Sequence, residues 1–154
     1  MGLTLLVISL LVSGCDHGLA PPDIPPTGSI IGQVRYTGEW PGENDVRDLR
    51  FVAMRFVPTD TADFLQLNRM AISPRLAYGV ASDSFSLMDI ETGTFFYSGV
   101  AQQFSENILS WKPIGLYAEQ GGIFQVKSGE TTRISIQVDF RNPPPFPPPG
   151  VSRQ

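Results

Sequence analysis

The stretch Ile134-Ser-Ile136-Gln-Val138-Asp-Phe140 alternates strictly between apolar and polar residues. Successive side chains of a β-strand point to opposite faces of a sheet, so this pattern predicts a strand with one buried and one solvated face. Residues 28–34 (GSIIGQV) alternate in a similar way. Residues 49–57 (LRFVAMRFV) are instead apolar on both faces, which predicts a central strand covered on both sides. Together these segments predict a β fold.

Shorter stretches with the same character complete the pattern. These stretches are residues 84–88, 95–100, 114–116 and 124–126. They bring the total to about seven strands, most of which are separated by turn signals. No stretch of eleven or more residues has a clear helical period. The sequence therefore predicts an all-β chain folded as a sandwich. Residues 59–83 are long for a connection, and predict either a short helix over residues 62–70 or a mobile loop.

Three motifs, in chain order, resemble those of carboxypeptidase regulatory-like, transthyretin-type domains. Residues 28–34 match the opening strand of that family, residues 85–95 (FSLMDIETGTF) its central hairpin and residues 126–136 (VKSGETTRISI) its last hairpin. The resemblance implies a seven-stranded Greek-key β-sandwich over residues 28–140. It also implies an accessory, usually non-catalytic role outside the cytoplasm.

The start of the chain has the features of an export signal. Residues 3–12 (LTLLVISLLV) form an apolar run of secretory-signal length, whereas a membrane-spanning helix needs about 20 residues. Val12-Ser13-Gly14-Cys15 resembles a bacterial lipobox. The resemblance implies that residues 1–14 are removed as a signal peptide and that acyl chains on Cys15 anchor the protein to a bacterial cell membrane or outer membrane, on the side away from the cytoplasm. The alternative is an uncleaved apolar N-terminus with an incidental cysteine.

Ten of the fourteen prolines lie in two runs that flank the predicted domain. Residues 15–27 predict a disordered, semi-extended tether between lipid and domain. Residues 141–154 (RNPPPFPPPGVSRQ) predict a proline-rich, disordered tail, because proline lacks a backbone donor and fits neither helix nor central strand. The alternative for this tail is a polyproline segment offered to an aromatic-lined groove.

The composition excludes several kinds of chemistry. The only cysteine is Cys15 and the only histidine is His17, both outside the predicted domain. A Ser-His-Asp triad, a Cys-His pair or a histidine-bound metal is therefore excluded within residues 28–140. No nucleotide-binding motif occurs, so we expect no cofactor, no metal and no catalytic residues. The net charge of −4 and the lack of a strongly basic stretch argue against nucleic acid as a partner.

Acidic residues in two loops are the remaining candidates for catalysis or metal binding. Asp60 and Asp63 could form a carboxylate pair of the kind that hydrolyses glycosides. Glu43, Asp45 and Asp48 could supply oxygen ligands to calcium. Carboxylates are common in turns, so we interpret both groups as solvated loop acids.

Three aromatic residues are candidates for a binding surface. Trp40 and Trp111 lie near prolines, at strand ends or in loops, and Tyr117 lies a few residues after the second tryptophan. Such side chains could stack on sugars or contact a protein partner. The alternative is that each tryptophan caps one end of the core, since tryptophan is usually well buried.

These observations favour a lipid-anchored, non-catalytic binding or accessory module of the cell envelope. The alternatives are a carbohydrate-binding surface module, a structural subunit of an envelope complex that has a protein partner, and a carboxylate-based hydrolase.

Overall fold

A computed structural model of the chain describes residues 23–150. The predicted signal peptide, Cys15, most of the predicted tether and residues 151–154 lie outside this range. The described residues contain nine strands: β1 (Thr27–Thr37), β2 (Asp48–Met54), β3 (Met70–Ile72), β4 (Ser82–Glu91), β5 (Gly93–Phe95), β6 (Tyr97–Gln103), β7 (Trp111–Leu116), β8 (Phe124–Val126) and β9 (Thr131–Asp139). Four short 3₁₀ helices lie between them: Glu43–Asp45, Thr61–Leu65, Leu67–Arg69 and Glu119–Gly122.

The strands form two larger open sheets and one small sheet. Sheet 1 has the order β4-β1-β9, sheet 2 has the order β3-β2-β6-β7, and β5 pairs with β8. β1 is antiparallel to β4 and parallel to β9, whereas all pairs in sheet 2 are antiparallel. The all-β prediction is confirmed, and the open sheets are consistent with a sandwich.

Each of the seven predicted segments overlaps one of the nine strands. The additional strands, β3 and β5, contain three residues each. Unlike Phe124–Val126, which is equally short, neither segment alternates between apolar and polar side chains, so the sequence does not reveal them. Within residues 23–150, no helix is long and apolar enough to cross a bilayer.

The main core lies between the two larger sheets. The ring of Phe51 in β2 stacks on the ring of Phe85 in β4, with 4.2 Å between their centroids. Val34 of β1 and Ile136 of β9 are also fully buried there, as the alternation of their strands predicts.

β2 is covered on both faces, which confirms the prediction for this segment. Leu49 and Phe51 belong to the main core, whereas Val52 and Met54 point to the opposite side of sheet 2. There they form a second group with residues of other elements. We call this group the outer cluster; its buried members are Val52, Met54, Phe64, Tyr97 and Ala101.

Two segments cover the outer cluster on the face of sheet 2 that points away from sheet 1. One is the 3₁₀ helix Thr61–Leu65, which together with Leu67–Arg69 takes the place of the single short helix expected over residues 62–70. The other is residues 141–150, which form neither helix nor strand. Within these residues, the half-buried Phe146 packs against the outer cluster and contributes apolar burial.

Candidate functional site

Trp40 closes one end of the main core. Its ring lies 4.6 Å from the rings of both Tyr36 and Phe140, and 5.1 Å from that of Tyr78. Its indole nitrogen donates a hydrogen bond to the carbonyl of Val80 at 3.2 Å. Both the apolar body and the polar atom of this side chain are therefore engaged within the fold, as the capping alternative predicts.

Tyr117 is buried in the main core. Only 5% of the residue is exposed, and its ring packs edge-to-face with that of Phe124 at 5.8 Å. Burial, with a smaller effect from the Glu119 carboxylate, raises the pKa of its phenol. This tyrosine is not available as an exposed stacking platform.

Trp111 has a different environment from the other two aromatic candidates. It begins β7, is partly exposed and packs against the outer cluster. It also lines a depression on the outer face of sheet 2, which neither Trp40 nor Tyr117 lines. The structure thus separates the three predicted binding residues, and leaves Trp111 as the one on an apolar surface depression.

This depression, which we call the apolar groove, has a volume of about 270 Å³. Seven apolar residues and one arginine line it: Val52, Phe64, Leu65, Leu67, Ile72, Ile108, Trp111 and Arg50. The strands of sheet 2 supply its floor, the two 3₁₀ helices between β2 and β3 supply one wall, and the β6–β7 loop supplies the other.

The first wall is fixed by a capping box. The Asp60 carboxylate accepts a hydrogen bond from the backbone N–H of Ala62 at 2.8 Å. The Asp63 carboxylate accepts bonds from the backbone N–H groups of Thr59 at 2.6 Å and Asp60 at 3.3 Å. This reciprocal arrangement satisfies the donors at the start of the helix and holds Phe64 on the outer cluster.

The second wall is fixed by polar side chains within the β6–β7 loop. The Asn107 carboxamide oxygen accepts a hydrogen bond from the backbone N–H of Leu109 at 2.9 Å. The Ser110 hydroxyl accepts one from the backbone N–H of Ser105 at 3.1 Å and lies 2.6 Å from the carbonyl of Asn107. These bonds form a compact loop that presents Ile108 at its tip.

The rim of the apolar groove exposes large apolar side chains. Leu67 is 64% exposed and Ile108 is 63% exposed, on opposite walls. Isolated exposed apolar residues are common, but a contiguous apolar depression with such a rim is typical of a docking site.

The charge in the apolar groove is already balanced. The Arg50 guanidinium donates to the Asp48 carboxylate at 2.7 Å and to the carbonyl of Ser73 at 3.2 Å. Among residues 23–150, no other charged residue lines the groove. The site is therefore suited to an uncharged, apolar ligand rather than to an anion.

Three of the five acidic candidates have structural partners. Asp60 and Asp63 form the capping box, and Asp48 pairs with Arg50 and lies 4.0 Å from Arg75. Across residues 23–150, no group of three or more His, Cys, Asp or Glu residues is placed to hold a metal ion. The Glu43–Asp45 helix is a single 3₁₀ turn in the connection from β1 to β2.

A larger and shallower depression of about 710 Å³ lies on sheet 1. Its side chains include Gln33, Ser84, Ser86, Arg133 and Ser135. These are the outward, polar positions of alternating strands, so we interpret this surface as the ordinary solvated face of a sheet whose other face packs on the core.

Residues of the apolar groove other than Trp111 were not among the sequence candidates. Phe64 and Leu67 lie in the long connection that the sequence leaves open as helix or loop. The one available signal is the apolar pair Ile108-Leu109, which interrupts the polar residues between Phe104 and β7. Such a pair marks exposed apolar surface but does not reveal which other segment it faces.

Comparison with known proteins gives no match to a family model, to a curated protein or to a solved structure. The apolar groove is therefore interpreted from its own geometry and chemistry.

Proposed function

We propose that this chain is a lipid-anchored, non-catalytic binding module of the bacterial cell envelope, and that it holds a protein partner in the apolar groove. The observation that carries the proposal is the continuous apolar lining from Phe64 to Trp111, with Leu67 and Ile108 exposed at the rim. An exposed surface of this kind is maintained at a cost in solubility, and burying it against a partner removes that cost.

A protein fits the apolar groove better than a sugar does. Sugars need several hydrogen-bonding side chains around an aromatic platform, and the polar side chain in this groove is Arg50, which already bonds to Asp48 and Ser73. Trp40 and Tyr117 are engaged in the main core, so they do not extend the platform around Trp111. The chemistry therefore favours the structural-subunit alternative over the carbohydrate-binding one.

The finer description of the fold belongs to the same proposal. We propose the Greek-key, transthyretin-type sandwich on the grounds that the three motif segments fall on β1, on β4 and β5, and on β8 and β9. β1 lies between β4 and β9, so all three motifs contribute to one layer around sheet 1. The lipid anchor on Cys15 is proposed on the lipobox resemblance alone.

The experiment that tests the function uses a photocrosslinking amino acid at position 67 of the full-length chain in its native membrane. We expect one protein to be captured in stoichiometric amount, and we expect Trp111→Ala to reduce that capture. The matched control carries the same crosslinker at position 135, on the polar face of sheet 1. Equal capture from both positions, or none from position 67, contradicts the proposal.

A glycan-binding screen on the same protein distinguishes the carbohydrate-binding alternative from the protein-binding proposal. Binding that depends on Trp111 and is unaffected by Leu67→Asp would favour a sugar platform over a protein groove.

A further inference from the structure

Building on the function above, we propose that the apolar groove binds a proline-rich, aromatic-bearing segment of another protein. The chain's own residues 141–150 are the chemical template for this ligand. They contain six prolines around a single phenylalanine, Phe146.

The tail shows what the outer face of sheet 2 accepts. Phe146 packs on the outer cluster, with its ring 5.4 Å from that of Phe64. Phe64 also lines the apolar groove. The ring of Phe64 therefore contacts the proline-rich tail and also lines the apolar groove. We call the surface under Phe146 the tail's seat; it is continuous with the groove through the outer cluster.

Hydrogen-bonding capacity favours proline in the groove. An ordinary peptide buried against these walls would leave backbone N–H groups unpaired, which disfavours its binding. Proline has no backbone N–H, so a proline-rich segment avoids this cost. It also enters in a preformed extended conformation and loses little entropy on binding.

Trp111 supplies the polar contact that such a ligand needs. Within residues 23–150 its indole N–H makes no hydrogen bond, in contrast to that of Trp40. A partly exposed indole can pack its ring on proline and donate its N–H to a ligand carbonyl. Polyproline segments keep their carbonyls exposed, so donor and acceptor are complementary.

The chain's own tail is not the occupant of the groove. Its Phe146 already packs on the outer cluster, and its Pro144 lines a separate depression together with Gly115 and Leu116 of β7. A second copy of the chain has the same tail engaged in the same way. The ligand is therefore assigned to a different protein.

The test uses the detergent-solubilised full-length chain and a fluorescent peptide of residues 141–150 (RNPPPFPPPG). Fluorescence anisotropy measures binding. We expect saturable binding that is weakened at least tenfold by Leu67→Asp and by Trp111→Ala. Trp111→Phe keeps the ring and removes the N–H, so it is expected to lie between Trp111→Ala and the natural chain. A peptide with all six prolines replaced by alanine should bind at least tenfold more weakly.

Two control variants separate the groove from other surfaces. Ser135→Asp, on the polar face of sheet 1, should leave the affinity unchanged. Phe146→Ala empties the tail's seat, and it should change the affinity less than twofold. If the peptide binds only to Phe146→Ala, it occupies the seat and the proposal is overturned.

Other occupants give distinct results. Self-association of the chain that Leu67→Asp abolishes, with or without peptide binding, would assign the groove to a second copy of the chain. The lipid alternative is tested with the unlipidated Cys15→Ala chain and vesicles of phosphatidylethanolamine and phosphatidylglycerol. If this chain binds the vesicles, loses that binding when Leu67→Asp is added, and does not bind the peptide, the groove is assigned to the lipid surface. Either result overturns the proposal. Crosslinking from position 67 without peptide binding leaves the proposed function standing and removes only the ligand class.

Discussion

Tyr97 carries a buried hydroxyl group that the surrounding structure does not satisfy. The residue is 7% exposed and its ring belongs to the outer cluster. Among the described residues its phenol oxygen has no hydrogen-bond partner. Burial raises the pKa of this phenol. An unpaired buried hydroxyl costs about 1–3 kcal/mol, so Tyr97→Phe is expected to stabilise the fold.

The magnitude follows from what the substitution keeps and removes. The phenyl ring stays in the outer cluster, so the apolar burial is unchanged. Removing one oxygen leaves a small void, which offsets part of the gain. We expect the free energy of unfolding to rise by about 1 kcal/mol, and the melting temperature to rise by about 3–5 °C for a domain of this size.

The matched control is Tyr78→Phe. The Tyr78 hydroxyl donates a hydrogen bond of 2.7 Å to the carbonyl of Pro41. Its loss should lower the free energy of unfolding by about 0.5–1 kcal/mol, opposite in sign to the change at Tyr97. Urea denaturation followed by circular dichroism measures both. A Tyr97→Phe variant as destabilised as Tyr78→Phe would show that the buried hydroxyl has a partner, and would refute the reasoning.

The raised pKa of Tyr97 also predicts a pH dependence. An unfolded tyrosine ionises near pH 10, whereas the buried phenol keeps its proton to higher pH. Above about pH 10 the folded state binds more protons than the unfolded state, so stability falls as pH rises and is fully present below that value. In Tyr97→Phe the free energy of unfolding should therefore fall less steeply with pH, by up to about 1.4 kcal/mol per pH unit. Denaturation series between pH 8 and pH 11 measure it, and identical slopes for the two proteins contradict the assignment.

Three further changes have expected outcomes. Gly32→Ala should destabilise the fold by about 1–3 kcal/mol, because a Cβ at this position overlaps the ring of Phe85 in the main core. Thermal melts measure the change, and Gly42→Ala, in an exposed turn, is the control that should have little effect. Phe146→Ala should lower the free energy of unfolding by about 2 kcal/mol, since a half-buried ring is lost from the outer cluster. Limited proteolysis followed by mass spectrometry should show faster removal of the tail. An unchanged rate would mean that this ring does not hold the tail on sheet 2. Cys15→Ala should leave the chain without acyl chains, and recovery of this variant in membranes at the mature mass would contradict the lipobox interpretation.

Much of the fold is local enough to be predicted. The alternation of β1 and β9 follows from a two-residue period, and the double-sided burial of β2 follows from apolar residues at positions of both faces. Proline correctly excludes helix and strand from residues 141–150. Although this segment contains no helix or strand, its Phe146 packs against the outer cluster on sheet 2, a contact that the proline pattern does not predict.

The candidate site depends on contacts that no local pattern contains. Trp40 and Trp111 both lie near a proline, yet the first closes the main core and the second lines the apolar groove. The groove itself joins two segments about forty residues apart in the chain, the helices after β2 and the loop before β7.

The sequence by itself determined the strands and the two proline-rich flanks, because hydrophobic period and backbone restriction act over a few neighbouring residues. Only the tertiary structure decided which aromatic side chains are covered. Strand order places β3 and β7 at opposite edges of sheet 2, with β2 and β6 between them, and so sets what covers each edge. The apolar groove exists because the segments beside those edges meet over the outer cluster, a juxtaposition that depends on the packing of the whole sheet.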